Sequence, residues 1–115
     1  MKVIIAGGRN FNDYETLRQF CDKALHEQTE VEIVSGTANG ADKLGERYAN
    51  DRGYPIKQFP AEWGKFGRNA GFKRNTQMAE YANALIVFWD GKSSGTKHMI
   101  DVAKRSKLKV DVISF

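Results

Sequence analysis

Short apolar runs alternate with segments of helical periodicity along the whole chain. Four segments carry apolar residues at helical spacing, and they cover residues 13–26, 40–52, 70–81 and 95–106. The apolar runs that flank these segments are predicted strands, and they cover residues 2–6, 32–34, 55–59, 84–89 and 109–114. Strands joined through helices are parallel, and continuously apolar strands need cover on both faces. The sequence therefore predicts a three-layer α/β fold, with a parallel sheet of about five strands and helices on both faces.

The length of 115 residues fits one such unit and no second core. We therefore expect residues 1–115 to form a single Rossmann-like domain. Within it, Asn12 and Glu15 resemble a capping box at the start of the first helix, whose apolar face includes Leu17, Phe20 and Cys21. The stretch 60–69 is predicted to be a loop.

The composition narrows the classes of function. No apolar run is long enough to cross a membrane or to form the core of a signal peptide, so no membrane partner is expected and the predicted location is cytoplasmic. Cys21 is the only cysteine, and its place on the apolar helix face predicts a core residue rather than a reactive thiol. His26 and His98 have no partner at metal-ligand spacing. We predict neither a metal site nor a bound cofactor.

Charge is distributed unevenly along the chain. The net charge is +4, and residues 60–115 hold ten Lys or Arg against five Asp or Glu, whereas residues 1–59 hold eight against nine. A basic second half suits a polyanionic ligand or nucleic acid. The alternative is the mild basic excess that many small proteins carry for solubility.

Three glycine-rich loops follow predicted strands and open helices. The carboxyl ends of parallel strands share one edge of the sheet, and helix N-termini with small, flexible loops bind anions there. The alternative for each loop is a tight connection that binds nothing. The candidate ligand-binding residues are Gly7, Gly8, Arg9, Asn10 and Phe11 after the first strand, Ser35, Gly36, Thr37, Ala38 and Gly40 after the second, and Ser93, Ser94, Gly95 and Thr96 after the fourth.

Two familiar phosphate motifs are absent. A Walker A loop requires a glycine five residues before Gly91, and Ile86 occupies that position. The GxGxxG dinucleotide spacing is also missing after the first strand. The chain is therefore neither a P-loop NTPase nor a standard NAD-dependent dehydrogenase.

A fourth segment mixes cations with aromatic rings. Guanidinium groups grip phosphates and flat rings stack on bases, so this segment suits a nucleotide. Alternatively, Phe72 packs in the core, Trp63 wedges under the loop, and Lys65 and Arg68 are only solvated. The candidates from this segment are Trp63, Arg68, Lys73, Arg74 and Asn75.

Together these motifs resemble the YspA-type branch of the SLOG superfamily. The resemblance rests on four motifs in order, which are Gly7-Gly8-Arg9-Asn10-Phe11, Ser35-Gly36-Thr37-Ala38-Asn39-Gly40-Ala41-Asp42, Ala70-Gly71-Phe72-Lys73-Arg74-Asn75 and Ser94-Gly95-Thr96. It implies a Rossmann-like fold. It also implies kinship with cytokinin-activating phosphoribohydrolases, with the DNA-processing protein DprA, and with sensors of nucleotides or NAD-derived signals.

The resemblance also marks a departure from the enzymes. The phosphoribohydrolase signature places a catalytic glutamate three residues after its Gly-Thr pair, and Met99 stands there in this chain. Arg74 would correspond to the neighbouring arginine of those enzymes, and Asn75 matches the Arg-Asn pair of the YspA branch. Asp42 joins the candidate ligand-binding residues as a carboxylate near the cleft, with a helix-dipole role as the alternative. Asp90 is the other nearby carboxylate, and for it a solvated loop acid is the preferred interpretation.

Three functions follow in order of preference. The first is binding of a nucleotide or an ADP-ribose-like molecule, as a sensor or sequestering module. The second is hydrolysis or transfer on such a ligand at an N-glycosidic or phosphate-linked position. The third is DprA-like binding of nucleic acid. A homodimer would complete a cleft this small.

Overall fold

A computed structural model describes all residues, 1–115, and shows one parallel sheet between two layers of helices. The strand order is β3-β2-β1-β4-β5, with every neighbouring pair parallel. The elements in chain order are β1 (Lys2–Gly7), α1 (Tyr14–Leu25), β2 (Glu32–Ser35), α2 (Ala41–Arg52), β3 (Ile56–Gln58), α3 (Trp63–Phe66), a 3-10 helix (Gly67–Asn69), α4 (Ala70–Tyr81), β4 (Ala84–Trp89), α5 (Ser94–Arg105) and β5 (Lys109–Ser114).

Alternate residues of the central strands point into two separate cores. On one face Val3, Ile33 and Ile86 pack with residues of α1 and α2. On the other face Ile4 and Val87 pack with residues of α4 and α5. Both faces of β1 and β4 are covered, as continuous apolar strands require. The predicted α/β fold with helices on both faces is confirmed.

The start of α1 differs from the expected capping box. Asp13, and not Asn12, is the N-cap residue, and its carboxylate accepts hydrogen bonds from the backbone and side chain of Thr16. Phe20 is 44% exposed, although helical spacing assigned it to the buried face with Leu17 and Cys21. The reason is that Phe20 lies at the margin of the apolar stripe, where it contacts Phe88 only through its ring edge.

The stretch 60–69 is not the loop that was predicted. It contains the single-turn helix α3 and the 3-10 helix, which lead directly into α4. Its glycines obscured this structure, because Gly67 ends α3 with a positive φ of 55° while Gly64 lies within the helical turn. The turns carry Trp63 to the carboxyl edge of the sheet.

The fold contains no helix that is both long and apolar enough to span a bilayer. Every helix has 12 residues or fewer, and each of the four long ones buries only one side.

Candidate functional site

A cleft of about 490 Å³ opens where the strand order reverses, at the carboxyl ends of β1 and β4. The chain after β1 leads to β2 on one side of the sheet, and the chain after β4 leads to β5 on the other side. The loops that follow β1 and β4 therefore diverge, and a crevice remains between them. The loop after β1 forms one wall, the loop after β4 and the start of α5 form another, and the start of α4 with Trp63 faces them. The topology thus places two of the predicted loops around one space.

The N-terminus of α5 faces this cleft with free donors. Ser93 caps the helix, and its side chain accepts from the amide of Thr96. Ser94 and Gly95 occupy the first turn, where backbone amides have no intrahelical acceptor. A Cβ built on Gly95 would meet nothing within 4 Å, so the space above this turn is open. This end of α5 has the form of an anion site.

Three arginines line the same cleft, namely Arg9, Arg68 and Arg74. None of them lies within 4.0 Å of a carboxylate, whereas Arg18 and Arg52 elsewhere are paired with acids. Partial burial lowers the pKa of Arg74, although Asp42 opposes this effect. The cleft therefore combines unpaired positive charge with the positive end of a helix dipole.

Asn75 connects the wall formed by α4 to the wall formed by α5. Its side chain is 6% exposed, and its Nδ2 donates to the carbonyl oxygen of Gly95 at 3.2 Å and lies 3.2 Å from Nδ1 of His98. Its Oδ1 accepts a hydrogen bond from Nε of Arg74 at 3.0 Å. Asn75 thus holds the arginine and the first turn of α5 in a fixed relation.

The loop after β2 is filled by the protein's own groups, in contrast to the open end of α5. The Arg74 guanidinium donates to the carbonyl oxygen of Gly36, and a Cβ on Gly36 would lie 2.8 Å from both Arg74 Nη1 and Asp42 Oδ2. The amide of Ala41, the first residue of α2, donates to the carbonyl oxygen of Gly8 at 3.2 Å. The space beside Gly36 is therefore not an empty anion cradle.

Asp42 is a buried carboxylate at the edge of the cleft. It is 5% exposed, and its Oδ2 accepts a hydrogen bond from the amide of Ala38 at 3.1 Å. Burial raises the pKa of Asp42 to about 6, against the opposing effects of the Ala38 amide and the positive charges of Arg74 and Arg9. Asp90, by contrast, accepts from the amides of Ser93 and Lys92, and these bonds lower its pKa.

Aromatic side chains form the outer rim. Trp63 is 53% exposed and Phe72 is 44% exposed, and both line the cleft. The ring of Phe72 packs against His98 with 4.4 Å between the ring centroids, which orients it. Neither ring is buried in the core, contrary to the packing alternative for Phe72. Two accessible aromatic surfaces at a cationic cleft can stack on a planar ligand.

The structure brings most of the predicted binding residues together. The cleft is lined by Gly7, Gly8, Arg9, Asn10, Ala38, Asp42, Trp63, Arg68, Arg74, Asn75, Ser93, Ser94, Gly95 and Thr96. A small adjoining pocket is lined by Gly36 and Thr37, and it shares Arg9, Trp63 and Arg74 with the cleft.

Four predicted residues lie outside both spaces. Phe11 is 4% exposed and stacks on Phe88 in the core. Ser35 is buried and donates to Glu46. Gly40 packs against the backbone of Gly8, and Lys73 extends over the ring of Phe66. Phe11, Ser35 and Gly40 thus contact other parts of the protein, and a role for them in ligand binding stays a prediction.

Sequence reasoning missed some cleft residues. Ala6, Gly71, Phe72, Met78 and Met99 line the cleft but were absent from the candidate set, as was Asp90. Gly71 and Met78 lie one turn from Arg74 on α4, so the helical spacing of three and four residues was a signal that could have found them.

The sheet order, the cleft at its reversal point and the glycine-rich loops define a Rossmann-like fold. Residues 1–66 match the profile of the YspA, cpYpsA-related SLOG family. The match covers more than half of the chain, and the protein belongs to this family. The resemblance seen in its motifs is thereby confirmed.

The fold is also similar to a solved structure of DNA processing protein A from Helicobacter pylori, a protein described for its single-stranded DNA binding mode. The TM-score is 0.69 with 17% sequence identity, over 97% of this chain and 64% of the other. The chain therefore spans just under two thirds of that protein, and at this identity the likeness concerns the fold alone. A search among curated proteins gave no match.

Proposed function

We propose that the cleft binds a nucleotide-type small molecule, such as a nucleotide or an ADP-ribose or NAD-derived ligand, which the protein senses or sequesters. The observation that carries the proposal is the open N-terminus of α5 in a cleft with three arginines free of carboxylate partners. A phosphate group suits this arrangement, because it accepts from backbone amides and guanidinium groups together.

The aromatic rim suits the planar ring of such a ligand. Trp63 and Phe72 offer accessible ring faces beside the cationic floor. A purine or nicotinamide ring stacking there would gain apolar contact, while the phosphate stays at α5. A cleft of about 490 Å³ is within the size range of small-molecule sites.

The side chain of Met99 favours binding without turnover. Met99 lies 2% exposed in the cleft wall, at the position of the glutamate in the phosphoribohydrolase signature. A thioether neither accepts a proton nor stabilises a developing positive charge as a carboxylate does. The enzymatic alternative would have to use Asp42 or Asp90.

The test is a thermal-shift screen with ADP-ribose, NAD and nucleoside mono-, di- and triphosphates, followed by mass spectrometry of each mixture. We expect stabilisation with intact ligand, since saturation at about 100 times the dissociation constant adds roughly 2.7 kcal/mol. Release of a base or ribose phosphate would instead identify an enzyme. The absence of any shift would contradict the proposal.

A pair of variants tests the location. Gly95→Val places a branched side chain in open space above the α5 turn, so the fold should tolerate it while ligand affinity falls at least tenfold. Gln77→Val introduces the same residue at an exposed position of α4 outside the cleft and should bind normally. Equal affinity in the two variants would remove α5 from the site.

Single-stranded DNA is the second candidate, because the DNA processing protein A fold is similar and residues 60–115 are basic. Salt dependence separates the candidates. Contact with several phosphates of an oligonucleotide gives a steep loss of affinity with salt, whereas one bound nucleotide gives a shallow loss. Tight, strongly salt-dependent oligonucleotide binding without any nucleotide binding would favour DNA.

A further inference from the structure

Asp42 is a buried acid in a cleft whose other features attract anions. Asp42 does not contribute to phosphate binding, since an ionised carboxylate repels phosphate. Burial of a carboxylate costs free energy unless its oxygens are paired or hydrogen-bonded. Asp42 therefore needs an explanation beyond the anion site at α5.

The two oxygens of this carboxylate have different surroundings. Oδ2 accepts from the Ala38 amide and lies beside Gly36, so it is committed to the protein. Oδ1 receives no hydrogen bond from any protein group, yet it is not sealed in the interior, because no buried side-chain oxygen lacks a partner. Asp42 lines the cleft, and we infer that this oxygen is the part of the side chain that a ligand in the cleft reaches.

The protonation state of Asp42 decides whether its free oxygen accepts or donates a hydrogen bond. Arg74 from α4 and Arg9 from the loop after β1 favour its ionised form, and Glu46 of the same helix opposes it. Neither arginine is within 4.0 Å of it, so neither neutralises it through a direct ion pair. Above its pKa of about 6, the free oxygen can only accept.

We propose that Asp42 accepts a hydrogen bond from a sugar hydroxyl of the ligand, and that the cleft thereby selects phosphorylated ribosides with a free diol over deoxy forms. This inference rests on the proposed function and names the part of the ligand between phosphate and planar ring. A hydroxyl is a neutral donor, so it satisfies Oδ1 without disturbing the nearby arginines. A ligand that lacks the diol would cover this oxygen without giving it a donor.

The experiment compares three probes by calorimetry at pH 7.5, namely adenosine 5′-monophosphate, its 2′,3′-dideoxy analogue and pyrophosphate. For the unmodified protein we expect the dideoxy analogue to bind at least about tenfold more weakly than the ribonucleotide. In Asp42→Ala no side-chain atom remains to bond the sugar hydroxyl, whereas the NH₂ group of an asparagine could still donate to the hydroxyl oxygen. The Asp42→Ala variant should bind both nucleotides within about threefold of each other.

Asp90→Asn is the matched control, because it removes a charge from the same cleft without touching the buried oxygen. It should retain the discrimination against the dideoxy analogue. Circular dichroism establishes that each variant is folded before its affinity is compared.

The outcomes separate this inference from the proposed function. Equal binding of the two nucleotides by the unmodified protein would overturn the role of Asp42 and leave nucleotide binding intact. Discrimination that persists in Asp42→Ala would overturn it as well. Failure of all three probes to bind, together with failure of the wider nucleotide screen, would instead contradict the proposed function.

Discussion

Nε of Arg74 donates a 3.0 Å hydrogen bond to Oδ1 of Asn75, the residue that follows it in α4. Consecutive helical residues point in directions about 100° apart, so this bond holds the guanidinium to one side, where it also donates to the Gly36 carbonyl oxygen. The amide nitrogen of Asn75 then reaches the Gly95 carbonyl oxygen. One buried amide thus sets the position of an arginine and of the first turn of α5 together.

Asn75→Ala should therefore destabilise the fold. It removes the bond to the Gly95 carbonyl oxygen and leaves Arg74 Nε without a partner in a half-buried place, and we expect a loss of about 1–3 kcal/mol in the free energy of unfolding. Urea denaturation followed by circular dichroism measures it. Gln77→Ala on the exposed side of α4 should change stability by less than about 0.5 kcal/mol. Equal losses in both variants would show that the Asn75 network contributes nothing.

The second prediction concerns Gly40, whose backbone lies close to the loop after β1. A Cβ there would lie 2.3 Å from the Gly8 carbonyl oxygen and 2.5 Å from that of Arg9, at a φ of +79°. Gly40→Ala should cost about 3 kcal/mol or more, from backbone strain and displacement of the first loop. Gly53→Ala also has positive φ, at +71°, but meets nothing within 4 Å, so it should cost only about 1 kcal/mol. Urea denaturation measures the free energy of unfolding of both variants. A smaller loss of this free energy in Gly40→Ala than in Gly53→Ala would contradict the packing argument.

Elements with strong periodicity were predictable from the sequence. The bounds of α4, β4 and β5 match the expected ranges, because uninterrupted apolar spacing marks both their type and their extent. The start of α1 was not, since Asn12 and Asp13 are both good capping residues and only the fold selects Asp13. The turns at 63–69 were missed because glycines at 64 and 67 are typical of loops.

The cleft was predictable in outline, because parallel topology places the ends of β1 and β4 side by side. Its interior was not. The loop after β2 looked open from its glycines, but Arg74, which lies 38 residues further along the chain, fills the space beside Gly36. Contacts of this kind depend on tertiary packing, which leaves no local sequence signal.

Cys21 provides a prediction about reactivity. Its side chain is fully buried between α1 and the sheet, and burial raises the pKa of the thiol to about 12. A thiol with so little thiolate and no access should react with Ellman's reagent only when the protein unfolds. We expect no rapid phase in buffer and one reactive thiol per chain in concentrated urea. A rapid stoichiometric reaction of the folded protein would contradict the assignment of Cys21 to the core.

Asp42 gives a pH dependence whose direction is opposite to that of ordinary surface acids. Burial raises its pKa from 3.8 to about 6, so the folded protein binds this proton more tightly than the unfolded chain does. The stabilising contribution is complete below pH 3.8 and is lost as the pH rises through 6. The stability of the unmodified protein relative to Asp42→Asn should therefore fall by roughly 2 kcal/mol between pH 4 and pH 7.

Asp90 is the internal control for that experiment. Backbone amides of Ser93 and Lys92 lower its pKa, so its contribution is present above its ordinary pKa and is lost as the pH falls. The stability of the unmodified protein relative to Asp90→Asn should thus rise with pH, whereas relative to Asp42→Asn it falls. Urea denaturation at pH 4, 5, 6 and 7 measures both differences, and comparison with each variant cancels the other titrating groups. A difference for Asp42→Asn that rises with pH would mean that Asp42 is stabilised as a charged group in the folded protein, against the burial argument.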